Sequence, residues 1–319
     1  MLVHLVTGLL MGVWPFHNAQ ATSPEPVSTQ TAATESSPIL SAKIAEVGHS
    51  LVNDAVPKYL IGIARGMGNQ ISMSVQLLPG APLEWQWNRH GDVGKGVPGN
   101  PHFTDLRTGL KSASPPFDVL VLAERVDISA SVKWHDSAGF SKKWRDLAVE
   151  ANPTVRVFMY TTWAGYANEE YWPGIPTRAV WRSRTQTDGE IFEKLVRDTN
   201  ALILSGPKFK VIPGHMAMMA LYDAIQSGAI DWAPAGINHF FLDYIHLNDI
   251  GNYYIALVHY ATIYRSSPAG GPVPTNLASA LTPAQALQLQ EMAWKVVSTY
   301  PLSGVISPIP SKTPSEPIR

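Results

Sequence analysis

Between residues 40 and 300, short unbroken apolar runs alternate with longer stretches whose apolar positions recur every three to four residues. The runs at 42–47, 71–77, 117–122, 155–161 and 209–212 have strand length, and their continuous apolar character fits strands covered on both faces. The stretches at 53–68, 189–204, 215–227, 250–264 and 283–298 carry the helical period. Strands that alternate with helices imply βαβ units. The expected class is therefore α/β: a five-stranded, mostly parallel sheet between two helical layers, a three-layer sandwich. Ligands of such sheets bind at the carboxyl ends of the strands, so the residues that follow each strand are where chemistry is expected.

Outside this region the pattern lapses. Residues 22–39 are rich in Ser, Thr, Pro and Ala and read as a linker, because they hold too little apolar surface to offset the entropy of ordering. Residues 301–319 carry recurrent prolines and read as a flexible tail. The first 21 residues hold an apolar run at 2–14 followed by Ala19-Gln20-Ala21, a small-x-small cleavage pattern, and read as a secretory signal that opens with His4 in place of Lys or Arg. An apolar anchor is the alternative, but the run is too short to span a bilayer comfortably. The expected location is the periplasm or outside of a bacterial cell, with no stable membrane insertion after the signal is removed.

Composition narrows the chemistry. The formal net charge is -1, with 24 Lys and Arg against 25 Asp and Glu, and the basic residues are scattered, so nucleic acid is not an expected partner. The chain has no cysteine, which removes disulfides, thiolate metal sites and a cysteine nucleophile. No cofactor is expected.

Ser50 follows the first strand in Gly48-His49-Ser50, behind a glycine that permits a tight turn and ahead of a helix. A hydroxyl at such a bend is exposed, and a nearby helix N-terminus would supply N–H groups for a developing oxyanion. Serine is also a favoured N-cap, which is the plain alternative. A serine nucleophile needs a base, and the base needs a carboxylate to hold its tautomer. Asp243 and His246 stand three apart just ahead of the helix at 250–264, where one turn can point both side chains the same way. A zinc pair of His239 and His246 lacks a convincing third ligand.

These two blocks, one at each end of the domain, resemble those of the SGNH (GDSL-type) hydrolase superfamily. Gly48-His49-Ser50 is similar to the Gly-Asp-Ser block, with His49 in place of the aspartate. Asp243 to His246 is similar to the Asp-x-x-His block, and Leu247, Asn248, Gly251 and Tyr253 extend the likeness. The resemblance implies a flavodoxin-like sheet, a Ser50-His246-Asp243 triad and an oxyanion hole formed by the N–H groups of Ser50 and Gly80. Gly80 follows the second strand and is otherwise an ordinary turn glycine. The family's asparagine after the third strand has no counterpart here. Glu124 stands there instead; it could donate only if protonated, and it otherwise pairs with Arg125 or Arg65.

Aromatic residues crowd the segments after the strands: Trp85 and Trp87 beside Gly80, then Trp134, Trp163, Tyr166, Tyr171 and Trp172. Flat faces of this kind stack on sugar rings, although tryptophans also serve as core or loop anchors. Trp85, Trp87 and Trp163 are the candidate substrate contacts. The long segments at 125–152 and 163–188 are expected to be loops that wall the cleft. The expected activity is hydrolysis of short-chain acyl esters, acetyl above all, on a small ester or an acetylated carbohydrate. A polysaccharide O-acetyltransferase that uses the same site and a non-catalytic carbohydrate-binding protein are the rivals.

Overall fold

A computed structural model describes residues 37–88, 105–165 and 180–305. The signal, most of the linker, residues 306–319 of the tail, and Tyr166, Tyr171 and Trp172 lie outside the described residues. Five strands form one sheet: β1 (Ser41–Gly48), β2 (Gln70–Leu77), β3 (Val119–Ala123), β4 (Arg156–Thr161) and β5 (Lys210–Pro213), in the order β2-β1-β3-β4-β5. Every neighbouring pair is parallel, with Ile44 opposite Met73 on one side and Val119 on the other.

Alternate side chains along each strand enter two separate cores. Ile44, Val119, Val121, Phe158 and Tyr160 point to one face, and Ala45, Val47, Leu120, Leu122 and Met159 point to the other. Burial on both faces is why the strands read as unbroken apolar runs. The first face is covered by α1 (Ala55–Gly66), α7 (Gly214–Gln226), α8 (Asp249–Tyr264) and α9 (Pro283–Thr299), and α8 is buried from Ile250 through Tyr264. A helix that is apolar on every side belongs inside a core. The second face is covered by α3 (Leu106–Ser112), α5 (Ser137–Ala151) and α6 (Trp181–Ala201).

Two expectations change. The segment 125–152 is not a loop: it forms α4 (Ile128–Trp134) and α5, capped by Asp127 and Asp136, whose carboxylates accept the N–H groups of Ala130 and Gly139. Such caps satisfy N–H groups that a helix start leaves open. Phe140, Trp144, Leu147 and Ala148 form the stripe by which α5 packs on the sheet. The segment at 163–188 is also partly helical, because α6 begins at Trp181. At the other end, Pro301–Ser303 make one turn of 3-10 helix, and Ser303 and Val305 are buried. The folded unit therefore runs past residue 300.

The order of strands reverses about β1, whose neighbours β2 and β3 leave it in opposite directions across the sheet. A crevice opens where successive crossovers diverge in this way. Ser50 lies two residues beyond the end of β1.

Candidate active site

Ser50 sits half-buried in the turn that separates β1 from α1. The helix begins at Ala55 behind its N-cap, Asp54, and the side-chain oxygen of the preceding Asn53 accepts the N–H groups of Ala55 and Val56 at 2.6 and 3.3 Å. Ser50 is thus not the helix cap, and its hydroxyl is directed elsewhere. A turn of four residues stands between the serine and the first helical residue, so the helix N-terminus is not directly behind it, contrary to expectation.

The turn owes its shape to His49, which is 1% exposed. Its Nε2 lies 2.9 Å from the Glu124 carbonyl, and its Nδ1 lies 3.3 Å from the Leu51 N–H. Both contacts are satisfied together by a neutral ring with the proton on Nε2, which donates to Glu124 while Nδ1 accepts from Leu51. Burial, with the nearby His246 adding to it, lowers the His49 pKa to about 4, which keeps the ring neutral.

His246 reaches Ser50 from the opposite end of the chain. A 3-10 turn (Gly236–Phe240) is followed by a loop pinched shut by an antiparallel bridge between Phe241 and Leu247. Leu242 N–H also donates to the His246 carbonyl at 2.8 Å. Within the loop, Asp243 Oδ1 accepts the N–H groups of Ile245 and His246 at 2.8 and 2.7 Å, and Asp243 Oδ2 accepts from His246 Nδ1 at 2.7 Å. Partial burial works against the charge on Asp243, but these three donors outweigh it and hold the carboxyl below the usual range. His246 Nε2 is left 2.9 Å from Ser50 Oγ, positioned to accept its proton. Trp163 secures the loop from the core beneath it by donating its indole N–H to the Ile245 carbonyl at 2.9 Å.

Gly80 follows β2 with φ +67, a conformation that glycine adopts without strain. Among the described residues, the N–H groups of Ser50 and Gly80 have no hydrogen-bond partner. Both residues line one cleft together with His246. Glu124 does not open into it. Its side chain is fully buried, and Oε1 accepts the N–H groups of Leu83 and Arg125 at 3.2 and 2.8 Å. Burial raises its pKa. The carboxyl therefore fastens the start of α2 (Leu83–Asn88) to the end of β3. The Arg125 side chain pairs with Asp127 instead, at 3.6 Å.

The three candidate tryptophans separate. Trp163 is 1% exposed and belongs to the core beneath the loop that carries Asp243 and His246. Trp87 packs edge-on against Trp144 and under the Arg107 guanidinium, beside a different depression. Trp85 is half-exposed against His135, and Trp134 is exposed under Lys133. None of the four lines the clefts at Ser50. Proximity in sequence to the strand ends suggested them, but their directions are set by tertiary packing.

Two clefts meet at Ser50 and His246. One, of about 810 Å³, is lined by Leu77, Pro79, Leu242 and Leu247 among others. The other, of about 660 Å³, is lined by Gly80, Arg125, Asp127, Arg184, Asp188 and Tyr244 among others. Apart from Gly80, the second set was missed in the sequence. Arg125 and Asp127 follow a strand end, and Arg184 and Asp188 have the one-turn spacing of a helical ion pair, but neither pattern alone indicates a cleft. His239 faces Trp232 and Phe240. Among the described residues, no three His, Asp or Glu side chains are placed to hold a metal ion.

No protein-family model matches the chain, nor does any curated protein. Solved structures do. A DUF4886 family protein from Bacteroides uniformis is 17% identical over 81% of this chain and 95% of its own, with a TM-score of 0.56, and the two share a fold. A family 3 carbohydrate esterase from Clostridium thermocellum is 13% identical over 70% of this chain and 98% of its own, with a TM-score of 0.41. An aryl esterase from M. smegmatis is 12% identical over the same share of this chain and 98% of its own, with a TM-score of 0.40.

Proposed function

We propose that the chain is a serine ester hydrolase of the SGNH type, exported from a bacterial cell, which acts on small acyl esters of a carbohydrate, acetyl esters among them. The observation that carries this reading is the unbroken relay from Asp243 through His246 to Ser50, at 2.7 and 2.9 Å. His246 takes the Ser50 proton as the oxygen attacks the acyl carbonyl, and the tetrahedral oxyanion is held by the N–H groups of Ser50 and Gly80. Collapse expels the alcohol with the proton from His246. Water, deprotonated by the same ring, then releases the acid and restores the serine. The Asp243 carboxylate stabilises the imidazolium in both steps and is not itself protonated.

A fluorophosphonate probe tests the proposal. An activated serine is labelled, whereas a binding protein that had only kept the fold is not. The expected result is labelling that Ser50→Ala abolishes, with p-nitrophenyl acetate hydrolysis falling by roughly three or more orders of magnitude. Equal hydrolysis by the Ser50→Ala protein would remove Ser50 from the mechanism. Acyl transfer to an added sugar that outran acid release would replace hydrolysis with acyl transfer at the same site.

A further inference from the structure

The cleft on the Tyr244 side of Ser50 holds two ion pairs that the covalent chemistry does not use. Arg184 Nε lies 2.9 Å from Asp188 Oδ1, and Arg125 Nη2 lies 3.6 Å from Asp127 Oδ2. The Asp188 side chain is only 6% exposed and that of Arg184 is 41%. The carboxylate anchors the pair from beneath and the guanidinium faces outward. Tyr244 lines the same cleft and is 42% exposed, a large aromatic left open to solvent on the loop that carries the base. Tyr244 and Leu242 flank Asp243 in sequence and line different clefts.

Three kinds of leaving alcohol can be weighed against this lining. An apolar alcohol would strip water from Arg125, Asp127 and Arg184 and return no hydrogen bonds. An anionic alcohol would be drawn by two guanidinium groups but would meet two carboxylates at the same place. A neutral polyol fits both signs. Each hydroxyl accepts from a guanidinium N–H and donates to a carboxylate oxygen, and the apolar face of a sugar ring can cover an aromatic ring.

We propose that this cleft is the alcohol subsite and that it selects an uncharged, polyhydroxylated leaving group, with Arg184, held from beneath by Asp188, and the exposed Asp127 binding hydroxyls and Tyr244 covered by the ring. The acyl group then enters the opposite cleft, where Leu77, Leu242 and Leu247 offer apolar walls. The assignment rests on the serine hydrolase reading above and replaces Trp85, Trp87 and Trp163 with Tyr244, Arg184 and Asp127 as the substrate contacts.

The test compares four acetyl esters that differ only in the alcohol: an acetylated methyl glucoside, its glucuronate counterpart, octyl acetate and p-nitrophenyl acetate. The wild-type protein should favour the neutral glucoside ester, by kcat/KM, over the glucuronate and octyl esters. For Arg184→Gln and for Tyr244→Ala, the ratio of kcat/KM on the glucoside ester to that on p-nitrophenyl acetate should fall about tenfold, mostly through KM, which is the scale of one hydrogen bond to a charged group for Arg184 and of one aromatic stacking contact for Tyr244. Tyr244 is exposed, so its replacement does not depend on refolding of the Arg184–Asp188 pair. An unchanged ratio in both variants, or a wild-type preference for the glucuronate or octyl ester, would overturn the subsite while leaving the triad in place. Hydrolysis of every ester that is insensitive to Ser50→Ala would instead overturn the reading beneath it.

Discussion

Trp163, at the carboxyl end of β4, donates its indole N–H to the Ile245 carbonyl, 82 residues further along the chain and immediately before His246. The ring is buried and meets Phe241 edge-on, so it supports the catalytic loop both by packing and by a directed hydrogen bond. The two contributions are separable. Trp163→Phe keeps most of the packing and removes the bond, worth about 0.5–1.5 kcal/mol net. The expected outcome, read on p-nitrophenyl acetate, whose alcohol lacks the hydroxyls that Arg184 and Tyr244 would select, is a kcat lower by about three- to tenfold, since the lost bond acts on the position of the base. Trp163→Ala should also lower the unfolding free energy by about 3–5 kcal/mol. Steady-state ester hydrolysis and urea unfolding distinguish the two effects. An unaltered kcat in Trp163→Phe would limit Trp163 to packing.

His49 occupies the position where the resembling family has aspartate, and its surroundings explain the exchange. The Glu124 carbonyl needs a donor, which a neutral histidine supplies and an ionised aspartate cannot. His49→Asp would leave that carbonyl unpaired, at a cost of about 1–3 kcal/mol, and would bury a carboxylate as well. His49→Asn retains one donor and one acceptor. The aspartate variant should therefore unfold at a distinctly lower urea concentration than the asparagine variant.

The same histidine carries a pH signature. Its folded pKa is lowered by burial to about 4 from 6.5, so the unfolded chain binds the proton first as the solution is acidified. Its contribution is intact above pH 6.5 and is lost progressively between pH 6.5 and about 4, to a total of roughly 3 kcal/mol. Buried His215 is lowered to about 4 as well and adds to the same window. His49→Asn should reduce the slope of unfolding free energy against pH in this interval without removing it. Urea titrations between pH 4 and 7 measure the slope, and identical slopes in both proteins would refute the assignment.

Where the sequence and the structure agree, the determinants are local. Five apolar runs became five strands with ends displaced by a few residues, because burial on both faces leaves little freedom in composition. The proximity of Asp243 and His246 was legible because both lie in one short loop, and the place of Ser50 in a turn because it follows a strand end. The information that stayed hidden is tertiary. Trp87 gives no sign in sequence that Trp144 on α5 will take its ring, and Glu124 looked like a candidate donor until Leu83 N–H was found against it. Helices α4 and α5 stand where loops were expected: Asp127 and Asp136 are favourable caps, but a cap marks a helix only together with an apolar stripe such as that from Phe140 to Ala148.

Gly80→Ala separates backbone strain from collision. A Cβ built there meets nothing within 4 Å, yet φ is +67. The added methyl group fits the space but disfavours the conformation, by about 1 kcal/mol. If the Gly80 N–H receives the oxyanion, relief of that strain by rotation of the peptide also turns the donor away. We expect a kcat about tenfold lower or more with a nearly wild-type KM, because the donor acts on charge that develops only in the transition state. Loss of stability without loss of kcat would assign Gly80 to the turn alone.

Gly251 lies in the first turn of α8, directly behind the His246 loop, and is required for a different reason. A Cβ at this position would stand 2.5 Å from the Phe240 carbonyl oxygen and 2.9 Å from Leu247 Cβ. The first of these is backbone and cannot rotate away. Phe240 and Leu247 also bracket the loop, since the Phe240 carbonyl accepts from Asn248 N–H at 3.0 Å and Leu247 is bridged to Phe241. Gly251→Ala must therefore separate α8 from the catalytic loop, at a cost of about 1–3 kcal/mol for overpacking, and the displacement is transmitted to His246, five positions earlier. The expected result is a fall in kcat of about tenfold or more, together with a drop in fluorophosphonate labelling rate, since both depend on the 2.9 Å contact between His246 and Ser50. A conservative change on the same helix, Val258→Ala in the core, should destabilise the fold by a similar or larger amount through its cavity but leave the labelling rate of the folded protein intact. If both substitutions slowed labelling in proportion to the stability they remove, the loop would be responding to global loosening and not to the local collision at Gly251.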